Sequence, residues 1–255
     1  QARASSVSET SDPTAAWNTY SVDLPAGVDG GAVAASRAWM GYSFPGGDER
    51  TFVLPMDRIV AGESASAYHF RGSLGHPVLG QDRIDALHFL QVTEKEFIVR
   101  SVEAHGEDGA PAARVVGRAP HGLEHFGWPP QWHQIRLDGS TVLSCRIASE
   151  TSSFIQTSLA VNEQLDVLVG FQETSPDMFI SPRLAWRLGT DAPGTLRPTI
   201  SLGEGQGATD GVSSGDYSGS CIDGGNGLDL WTVQSVTGKD GKGDTVVARV
   251  PFERR

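Results

Sequence analysis

The sequence predicts an all-β protein, and three features support this fold class. From Ala15 onwards, short runs rich in β-branched and aromatic residues alternate with Gly, Asp and Pro. The chain contains 31 Gly and 14 Pro, spread along its length, which is typical of many short strands joined by turns. Evidence for helix is confined to a single turn at residues 57–62, between Pro55 and Gly62.

The predicted strands fall into five groups along the chain. The first group is expected at residues 17–24, 32–44, 51–55 and 67–71. The second is expected at 86–92, 96–103 and 113–118, and the third at 132–137, 140–148 and 153–156. The fourth is expected at 158–161, 165–172, 184–189 and 196–202, and the fifth at 217–222, 228–236 and 244–251.

The spacing of these groups predicts a β-propeller built from four-stranded antiparallel blades. The groups recur about every 45–50 residues, which is the period of blades. Nearly continuous apolar runs such as residues 167–171 are expected of strands that are covered on both faces. Roughly 240 residues at that period give five blades, with four or six as alternatives. A two-sheet sandwich is the main competing architecture, because alternating strands and turns alone do not exclude it.

The two ends of the chain are expected to meet and close the ring. The last group shows only three clear strands, whereas a blade needs four. We therefore predict that an N-terminal strand at residues 17–24 completes the last blade beside residues 245–250. Residues 1–14, which are polar and unpatterned, are predicted to be a flexible leader, and residues 15–255 a single propeller domain.

Composition limits the partners and the location. The formal charge of −11 argues against a nucleic-acid partner, because phosphate binding needs clustered Lys and Arg. No apolar run approaches the roughly 20 residues of a transmembrane segment. The polar opening of the chain is typical of a mature protein after signal cleavage, which predicts a secreted, periplasmic or cell-surface location.

Two cysteines, Cys145 and Cys221, are compatible with one disulfide in an exported protein. They fall in different strand groups that are not neighbours, which would hold them beyond the ~7 Å Cα separation that a bridge tolerates. We therefore expect two buried, unpaired thiols.

The C-terminal region carries a recognisable motif, G-D-Y-S-G at residues 215–219, followed by an Asp-containing turn and a Leu-Trp-Thr strand at residues 230–232. It resembles the last blade of a family of secreted bacterial β-propellers that is distantly similar to sialidase/BNR-repeat proteins. The similarity continues through residues 158–187 and the D-x-P-G-T-L connector at residues 191–196. Its best-matched motif residues are Asp216, Tyr217, Asp223 and Trp231. The Arg-Trp pair that usually precedes this motif is Ser213-Ser214 here.

In a sialidase-like enzyme a Tyr nucleophile is assisted by a carboxylate, and an Arg trio binds the substrate. Asp216 and Tyr217 are adjacent on a predicted strand, so their side chains point to opposite faces and make a poor catalytic pair. We expect Asp216 to bond turn amides and Tyr217 to pack between blades. Candidate anion binders are Arg183, Arg187 and Arg197, for which salt bridges are the commoner explanation.

Two metal hypotheses are weaker than their structural alternatives, and no cofactor is predicted. The loop from Asp223 to Asp229 offers oxygen atoms for Ca²⁺ but lacks the register of an EF-hand. An Asp-box-like turn, in which Asp223 caps backbone N–H groups, is the preferred interpretation. A zinc site from His121 and His125 with His133 would need a helix, which Pro and Gly in this stretch forbid.

The stretch 119–131 is predicted to be a long loop rich in aromatic and polar groups. Its candidate binding residues are His121, His125, Phe126 and Trp128, together with the neighbouring Trp132. Such a loop on a rigid scaffold could stack on a sugar ring or contact a protein partner. It could equally plug one face of the ring.

These observations favour a secreted, non-catalytic propeller that binds a protein or glycan partner. The alternative is a glycoside-active, sialidase-like enzyme with a carboxylate pair such as Glu173 and Asp223 at the channel mouth. Two carboxylates within about 5–10 Å of each other in an open cleft would favour hydrolysis.

Overall fold

The structure, a computed structural model, describes residues 2–8, 14–23, 31–44, 51–78, 85–105, 109–120, 131–209 and 218–255. Its elements in chain order are β1 (Ala2–Ser8), β2 (Trp17–Asp23), β3 (Ala32–Ala35), β4 (Trp39–Ser43), β5 (Thr51–Pro55), α1 (Met56–Val60), β6 (Tyr68–Phe70), β7 (His76–Val78), β8 (Leu87–Val92), β9 (Glu96–His105), β10 (Ala110–Pro120), β11 (Gln131–Ile135), β12 (Thr141–Arg146), β13 (Ser153–Val161), β14 (Val167–Ser175), β15 (Met178–Arg187), β16 (Ile200–Ser201), β17 (Gly219–Ile222), β18 (Leu230–Thr237) and β19 (Gly243–Val250).

The all-β prediction is confirmed, and the strands form antiparallel meanders in which neighbours in sequence are neighbours in the sheet. We name the sheets A (β1–β2), B (β3–β6), C (β7–β10), D (β11–β12), E (β13–β16) and F (β17–β19). Sheets B, C and E have four strands, F has three, and none of the described sheets closes on itself. The one predicted helical turn is α1, five residues long. No helix in the described ranges is long and apolar enough to span a bilayer.

Several strand boundaries differ from the prediction, and two of these differences have clear local reasons. The predicted strand 32–44 is broken between β3 and β4, where Ser36 forms a turn by accepting the Trp39 N–H on its hydroxyl at 3.1 Å. The predicted strands 153–156 and 158–161 are one strand, β13. A bulge at Gln156, whose φ is +51°, separates its two halves.

The chain divides into two compact units, residues 1–123 with 135–141, and residues 124–134 with 142–255. The assignment of residues 15–255 to one domain stays a prediction. In the first unit, Trp39 and Val53 of sheet B pack against Leu87 and Phe89 of sheet C. The opposite face of sheet B carries Phe52, and Val22 of β2 packs against it.

The second unit has three layers, with sheet E in the middle. The core on its sheet D side consists of residues from both layers: Trp132, Leu143, Phe154, Val169 and Phe171. The core on its sheet F side consists of Ala160, Leu168, Leu184, Leu230 and Phe252. Alternate residues of β14 therefore serve two different cores, as expected from a strand buried on both faces.

The ring-closure prediction is wrong for the described chain. The N-terminal strand β2 pairs with β1, from Ala2 opposite Asp23 to Ser8 opposite Trp17, and sheet F keeps three strands. A hairpin joined by a short connection loses far less loop entropy than a pairing between opposite ends of the chain. Strand β1 also occupies half of the segment predicted to be a flexible leader. Its Ser- and Ala-rich sequence has no alternation to reveal it.

Both cysteines are free, as predicted, but they are not buried. Cys145 on β12 is half-buried and Cys221 on β17 is exposed. Cys221 lies opposite Trp231 on the face of sheet F that points away from sheet E. Cys145 packs against the core between sheets D and E but remains partly accessible because sheet D has only two strands, whereas Cys221 lies on an outer face.

The two thiols should therefore react at different rates. Cys221 is expected to be alkylated by iodoacetamide before Cys145, because the thiolate must reach the reagent through solvent. Mass spectrometry of the intact chain during a time course measures this. A chain that takes up no reagent until it is reduced would contradict the unpaired state.

Close approach of sheets E and F depends on one glycine. A Cβ added to Gly170 on β14 would lie 2.1 Å from Thr232 Oγ1 and 2.4 Å from Gln234 Nε2. Gly41 on β4 is in the corresponding position of sheet B, where a Cβ would lie 2.2 Å from Leu87 of sheet C. In both cases the glycine is on the second strand of a four-stranded sheet and faces the following sheet.

Replacing Gly170 by Ala should destabilise the protein by about 1–3 kcal/mol, as overpacking of a closed interface does. The matched control is Gly219→Ala, because a Cβ at Gly219 on β17 has no atom within 4 Å. Urea unfolding of both variants measures the difference. Equal stabilities would show that the sheets separate easily at this point.

Candidate functional site

The packed pair of sheets E and F has two ends with different chemistry. At the first, the amide of Asn162 in the β13–β14 turn donates to the Leu228 carbonyl at 2.8 Å. At the second, Thr237 at the end of β18 donates to the Ile180 carbonyl near the β14–β15 turn, at 3.4 Å. We call these the turn end and the cleft end.

The turn end contains Asp223 and Trp231, two residues that the sequence motif singles out. One carboxylate oxygen of Asp223 accepts the Gly225 N–H at 2.8 Å, and the other accepts the Trp231 indole N–H at 2.8 Å. These hydrogen bonds, that from Trp231 foremost, lower the pKa of Asp223. The prediction that Asp223 caps backbone N–H groups is confirmed.

The remaining oxygen atoms of this loop are also used within the protein. The Asn226 side-chain oxygen accepts the N–H groups of Leu228 and Asp229, at 2.9 and 3.0 Å. Asp229 is buried, accepts the Phe252 N–H at 2.9 Å and pairs with Arg249. The loop is thus a hydrogen-bonded turn whose acceptors serve its own chain.

The C-terminal residues fasten sheet F to sheet E at the same end. Phe252 is buried in the core between the sheets and meets Trp186 edge to face, with ring centroids 5.8 Å apart. Gln164 donates to the Glu253 carbonyl at 2.9 Å, and Arg255 pairs with the fully buried Asp166. These contacts hold the turn end rigid.

The cleft end is organised by Arg183, a buried side chain on β15. Its guanidinium pairs with Glu173 at 2.9 Å and with Glu204 at 3.0 Å, and donates to the Ser201 hydroxyl at 2.7 Å and the Gly203 carbonyl at 2.8 Å. The hydrogen bond from Arg183, followed by that from Ser201, lowers the pKa of Glu204. Glu204 therefore stays ionised at neutral pH.

Beyond Arg183 a cleft of about 350 Å³ opens to solvent. Its lining combines carboxylates, an amide, an ammonium group and backbone: Glu204, Gln206, Val236, Thr237, Gly238, Lys239, Asp240 and Asp244. Three carboxylates against one ammonium group make its lining acidic. The β18–β19 turn forms one wall and the segment after β16 forms the other.

The glycine-rich segment 203–207 fits this wall because two of its glycines lie where a side chain would have no room. A Cβ on Gly205 would lie 2.5 Å from the Ile180 carbonyl oxygen, and one on Gly207 would lie 2.5 Å from that of Gly238. The Gln206 N–H donates to the Thr237 carbonyl at 2.8 Å. The two glycines thus let the chain lie against both sheets and turn Glu204 and Gln206 towards the cleft.

The exposed aromatic residue Phe179 lies against the glycine-rich wall of this cleft. Phe179, at the start of β15, is 47% exposed, and its Cβ is 2.7 Å from the position that a Cβ on Gly205 would take. Gly205 itself lies between two residues that line the cleft. An exposed ring next to hydrogen-bonding groups is the usual composition of a site that binds sugars or peptide side chains.

Most residues of the predicted aromatic site fall outside the described residues: His121, His125, Phe126 and Trp128. The same holds for Asp216 and Tyr217 of the motif. Trp132, the one described member, is buried in β11 and packs in the core between sheets D and E, so it does not offer its ring to a ligand. His133 also lies on β11, and no metal-ligating cluster occurs among the described residues.

The proposed catalytic pair Glu173 and Asp223 is not brought together. Asp223 belongs to the turn end, where β14 begins, whereas Glu173 lies near the other end of β14 beside Arg183. Residues 167 to 173 of an extended strand span about 20 Å at roughly 3.3 Å per residue. The two carboxylates therefore do not share a cleft.

The three candidate anion-binding arginines are engaged within the protein, in agreement with the salt-bridge interpretation. Arg187 is buried and donates to the Asp191 carbonyl at 2.7 Å. Arg197 pairs with Asp191 at 2.8 Å and lies over the Trp186 ring, 4.4 Å from its centroid. Arg183 is held in its ion pairs with Glu173 and Glu204. All three arginines therefore position the chain.

The cleft was not predicted from the sequence, because its lining residues come from two separate segments of the chain. A sequence signal for the cleft is the combination of Gly with acidic residues in two segments, 203–207 and 238–244. These segments precede β17 and follow β18.

No protein family, no curated protein and no solved structure matches this chain significantly. The similarity to sialidase/BNR-repeat propellers is therefore a prediction from motif residues alone.

The Asp191–Arg197 pair predicts an acid-sensitive connector. The hydrogen bond from Arg197, followed by that from the Leu188 N–H, lowers the pKa of Asp191 from 3.8 to about 2. A carboxylate with a lowered pKa stabilises the fold above its unfolded pKa, and this contribution is lost as the pH falls from about 4 to about 2.

The stability difference between wild type and Asp191→Asn should therefore be largest near pH 5 and shrink below pH 4. Urea unfolding at a series of pH values measures it, with Asp177→Asn in an exposed turn as the control. A difference that is constant from pH 5 to pH 2 would contradict the assignment.

Proposed function

We propose that this chain is a secreted, non-catalytic β-propeller that acts as a binding or scaffold module for a protein or glycan partner. The observation that carries this proposal is the cleft at the end of sheets E and F, whose acidic lining is open to solvent and whose glycine-rich wall lies next to the exposed residue Phe179. Membership of a family similar to sialidase/BNR-repeat proteins, and export from the cell, remain part of the proposal.

The propeller part of the proposal is supported by the meander order and face-to-face packing within each unit. Sheets of four strands follow one another along the chain, and a glycine on the second strand admits the next sheet at both Gly41 and Gly170. Stacking of successive blades buries both faces of each sheet in this way. Five blades remain the preferred count. An experimental structure with two facing sheets would rule the propeller out.

The binding part is supported by how the cleft is held. Arg183 fixes Glu204 by an ion pair, and the short hydrogen-bonded turns of residues 238–242 fix the opposite wall. A ligand that enters such a cleft meets groups that are already oriented, so little side-chain entropy is lost on binding. A sugar hydroxyl can bond Gln206 and Glu204, while its ring or an apolar side chain stacks on Phe179.

The lowered pKa values of two carboxylates, Glu204 and Asp223, favour binding over acid catalysis by these groups. Glycoside hydrolysis needs one carboxylic acid whose pKa is raised so that it can protonate the leaving group. Glu204 and Asp223 have lowered pKa values because each accepts charged or polar hydrogen bonds. Both are thus suited to accept hydrogen bonds and to fix structure.

A glycan array, together with pull-down from the native extracellular fraction, tests the proposal. Phe179→Ala should weaken binding by roughly tenfold, because a stacked ring contributes about 0.5–1.5 kcal/mol in addition to the free energy of its buried apolar area. Val142→Ala, an exposed apolar change on β12, is the matched control and should bind as wild type. The double variant Phe126→Ala and Trp128→Ala tests the predicted aromatic loop in parallel.

Three outcomes separate the hypotheses. Binding lost only in Phe179→Ala assigns the ligand to the cleft, and binding lost only in the double variant assigns it to the loop. Binding retained in both contradicts both sites. Release of reducing sugar from a bound glycan would instead favour the glycoside-active alternative.

A further inference from the structure

A methionine side chain belongs to the hydrogen-bonded group that organises the cleft end. Met178, the first residue of β15, is half-buried and follows Asp177 and precedes Phe179, both of which are exposed. Its thioether sulfur accepts a hydrogen bond from the Nη2 atom of Arg183 at 3.5 Å. An oxidisable sulfur atom therefore contacts the cation that holds Glu204 in the wall of the cleft.

Arg183 divides the N–H groups of its guanidinium between oxygen acceptors and this sulfur. The Nε and Nη1 atoms donate to oxygen atoms of four residues: Glu173, Pro182, Ser201 and Gly203. The Nη2 atom donates to Glu204 Oε2 at 3.0 Å and to Met178 Sδ. A thioether is a weak acceptor. Since the Arg183 side chain is only 7% exposed, Met178 is the weakest of these partners of a buried cation.

Oxidation of Met178 replaces this weak acceptor by a strong one. Hydrogen peroxide transfers one oxygen atom to the sulfur: the O–O bond breaks, an S–O bond forms, the sulfur loses two electrons and the peroxide is reduced to water. The product, methionine sulfoxide, is polar and carries an oxygen that accepts hydrogen bonds. This oxygen competes with the Glu204 carboxylate for the N–H groups on Nη2 of Arg183.

The added oxygen can reach the guanidinium, but it does not fit without movement. Met has three rotatable bonds, so the oxygen can turn towards Nη2 whichever side of the sulfur is attacked. A nitrogen donor and an oxygen acceptor need about 2.7–3.2 Å between them. The Nη2 and Sδ atoms are themselves 3.5 Å apart, so an oxygen between them would lie too close to the nitrogen. The guanidinium or the Met178 side chain must therefore move.

Glu204 is the carboxylate that a displaced guanidinium releases first. Its side chain is 63% exposed, whereas that of Glu173 is 20% exposed, so water can replace the lost hydrogen bond more easily at Glu204. The Ser201 hydroxyl, which donates to Glu204 Oε1 at 2.8 Å, would remain. Because Glu204 lines the cleft, its release changes the wall that a ligand meets.

We propose that Met178 is an oxidation site that regulates the cleft, and that its sulfoxide draws Arg183 away from Glu204. The regulatory meaning rests on the proposed binding function of the cleft, whereas the oxidation and the release of Glu204 can be measured without a ligand. Methionine sulfoxide reductases return the sulfoxide to the thioether, so the modification is reversible.

Treatment of the full chain with hydrogen peroxide, followed by peptide mass spectrometry, tests the modification. The peptide that contains Met178 should gain the mass of one oxygen atom. A methionine sulfoxide reductase should remove it, whereas dithiothreitol alone, which reverses disulfide and sulfenic acid formation at cysteine, should not. If Met178 stays unmodified, whether or not Met40 and Met56 are oxidised, the proposal is overturned.

NMR titration of the Glu204 side-chain carboxyl carbon measures the effect on the cleft. In the unmodified protein the hydrogen bond from Arg183, followed by that from Ser201, lowers the pKa of Glu204. After oxidation the midpoint should rise towards the ordinary value of a glutamate. Met178→Gln, which carries an amide oxygen, should raise it without peroxide. Met178→Leu, which is close in volume and lacks the sulfur, should keep the low midpoint before and after peroxide.

Met56→Leu on α1 is the matched control and should respond to peroxide as wild type does. A Glu204 midpoint that oxidation leaves unchanged overturns the proposal, and so does a rise of equal size in Met178→Leu, because another residue would then be responsible. A midpoint that responds as expected in a protein that binds nothing on a glycan array or in a pull-down supports the oxidation site and contradicts the proposed function alone.

Discussion

The close approach of sheets E and F at Gly170 is the constraint on which the second unit depends. Since this position has no Cβ, Thr232 and Gln234 reach the backbone of β14. Gln234 in turn donates to Ser158 at 3.1 Å, so a strip of polar side chains lies between two apolar layers. Such a strip fixes register more strictly than apolar packing, because a slip would leave buried polar groups without partners.

The fixed register determines what meets at each end of the two sheets. At the turn end, the buried carboxylates Asp166 and Asp229 bind the C-terminal residues and prevent the sheets from separating. At the cleft end, Arg183 connects strand β15 to the glycine-rich wall through Glu204. The cleft is therefore a rigid feature of the packed sheets, and a ligand would meet oriented groups.

The local structure could largely be predicted from the sequence. β5 begins and ends as predicted, and the Asp223 turn was correctly interpreted, because each depends on neighbouring residues alone. The partner of β2 was wrongly assigned, since counting strands per group does not include the entropy of joining distant ends. The sequence predicts Trp132 as a ligand-binding ring, whereas the structure places it in a core, since an aromatic residue at the start of a strand fits either role.

The sequence by itself determined most of the strands, their turns and the two-sided burial of β14, because alternation and turn chemistry act over a few residues. Only the tertiary structure decided that Glu173 and Asp223 lie apart, that the candidate arginines are bound to groups of the protein itself, and that Glu204 shares a cleft with Asp244. Each of these features depends on register and packing between segments that are far apart in the chain, and no local sequence pattern specifies them.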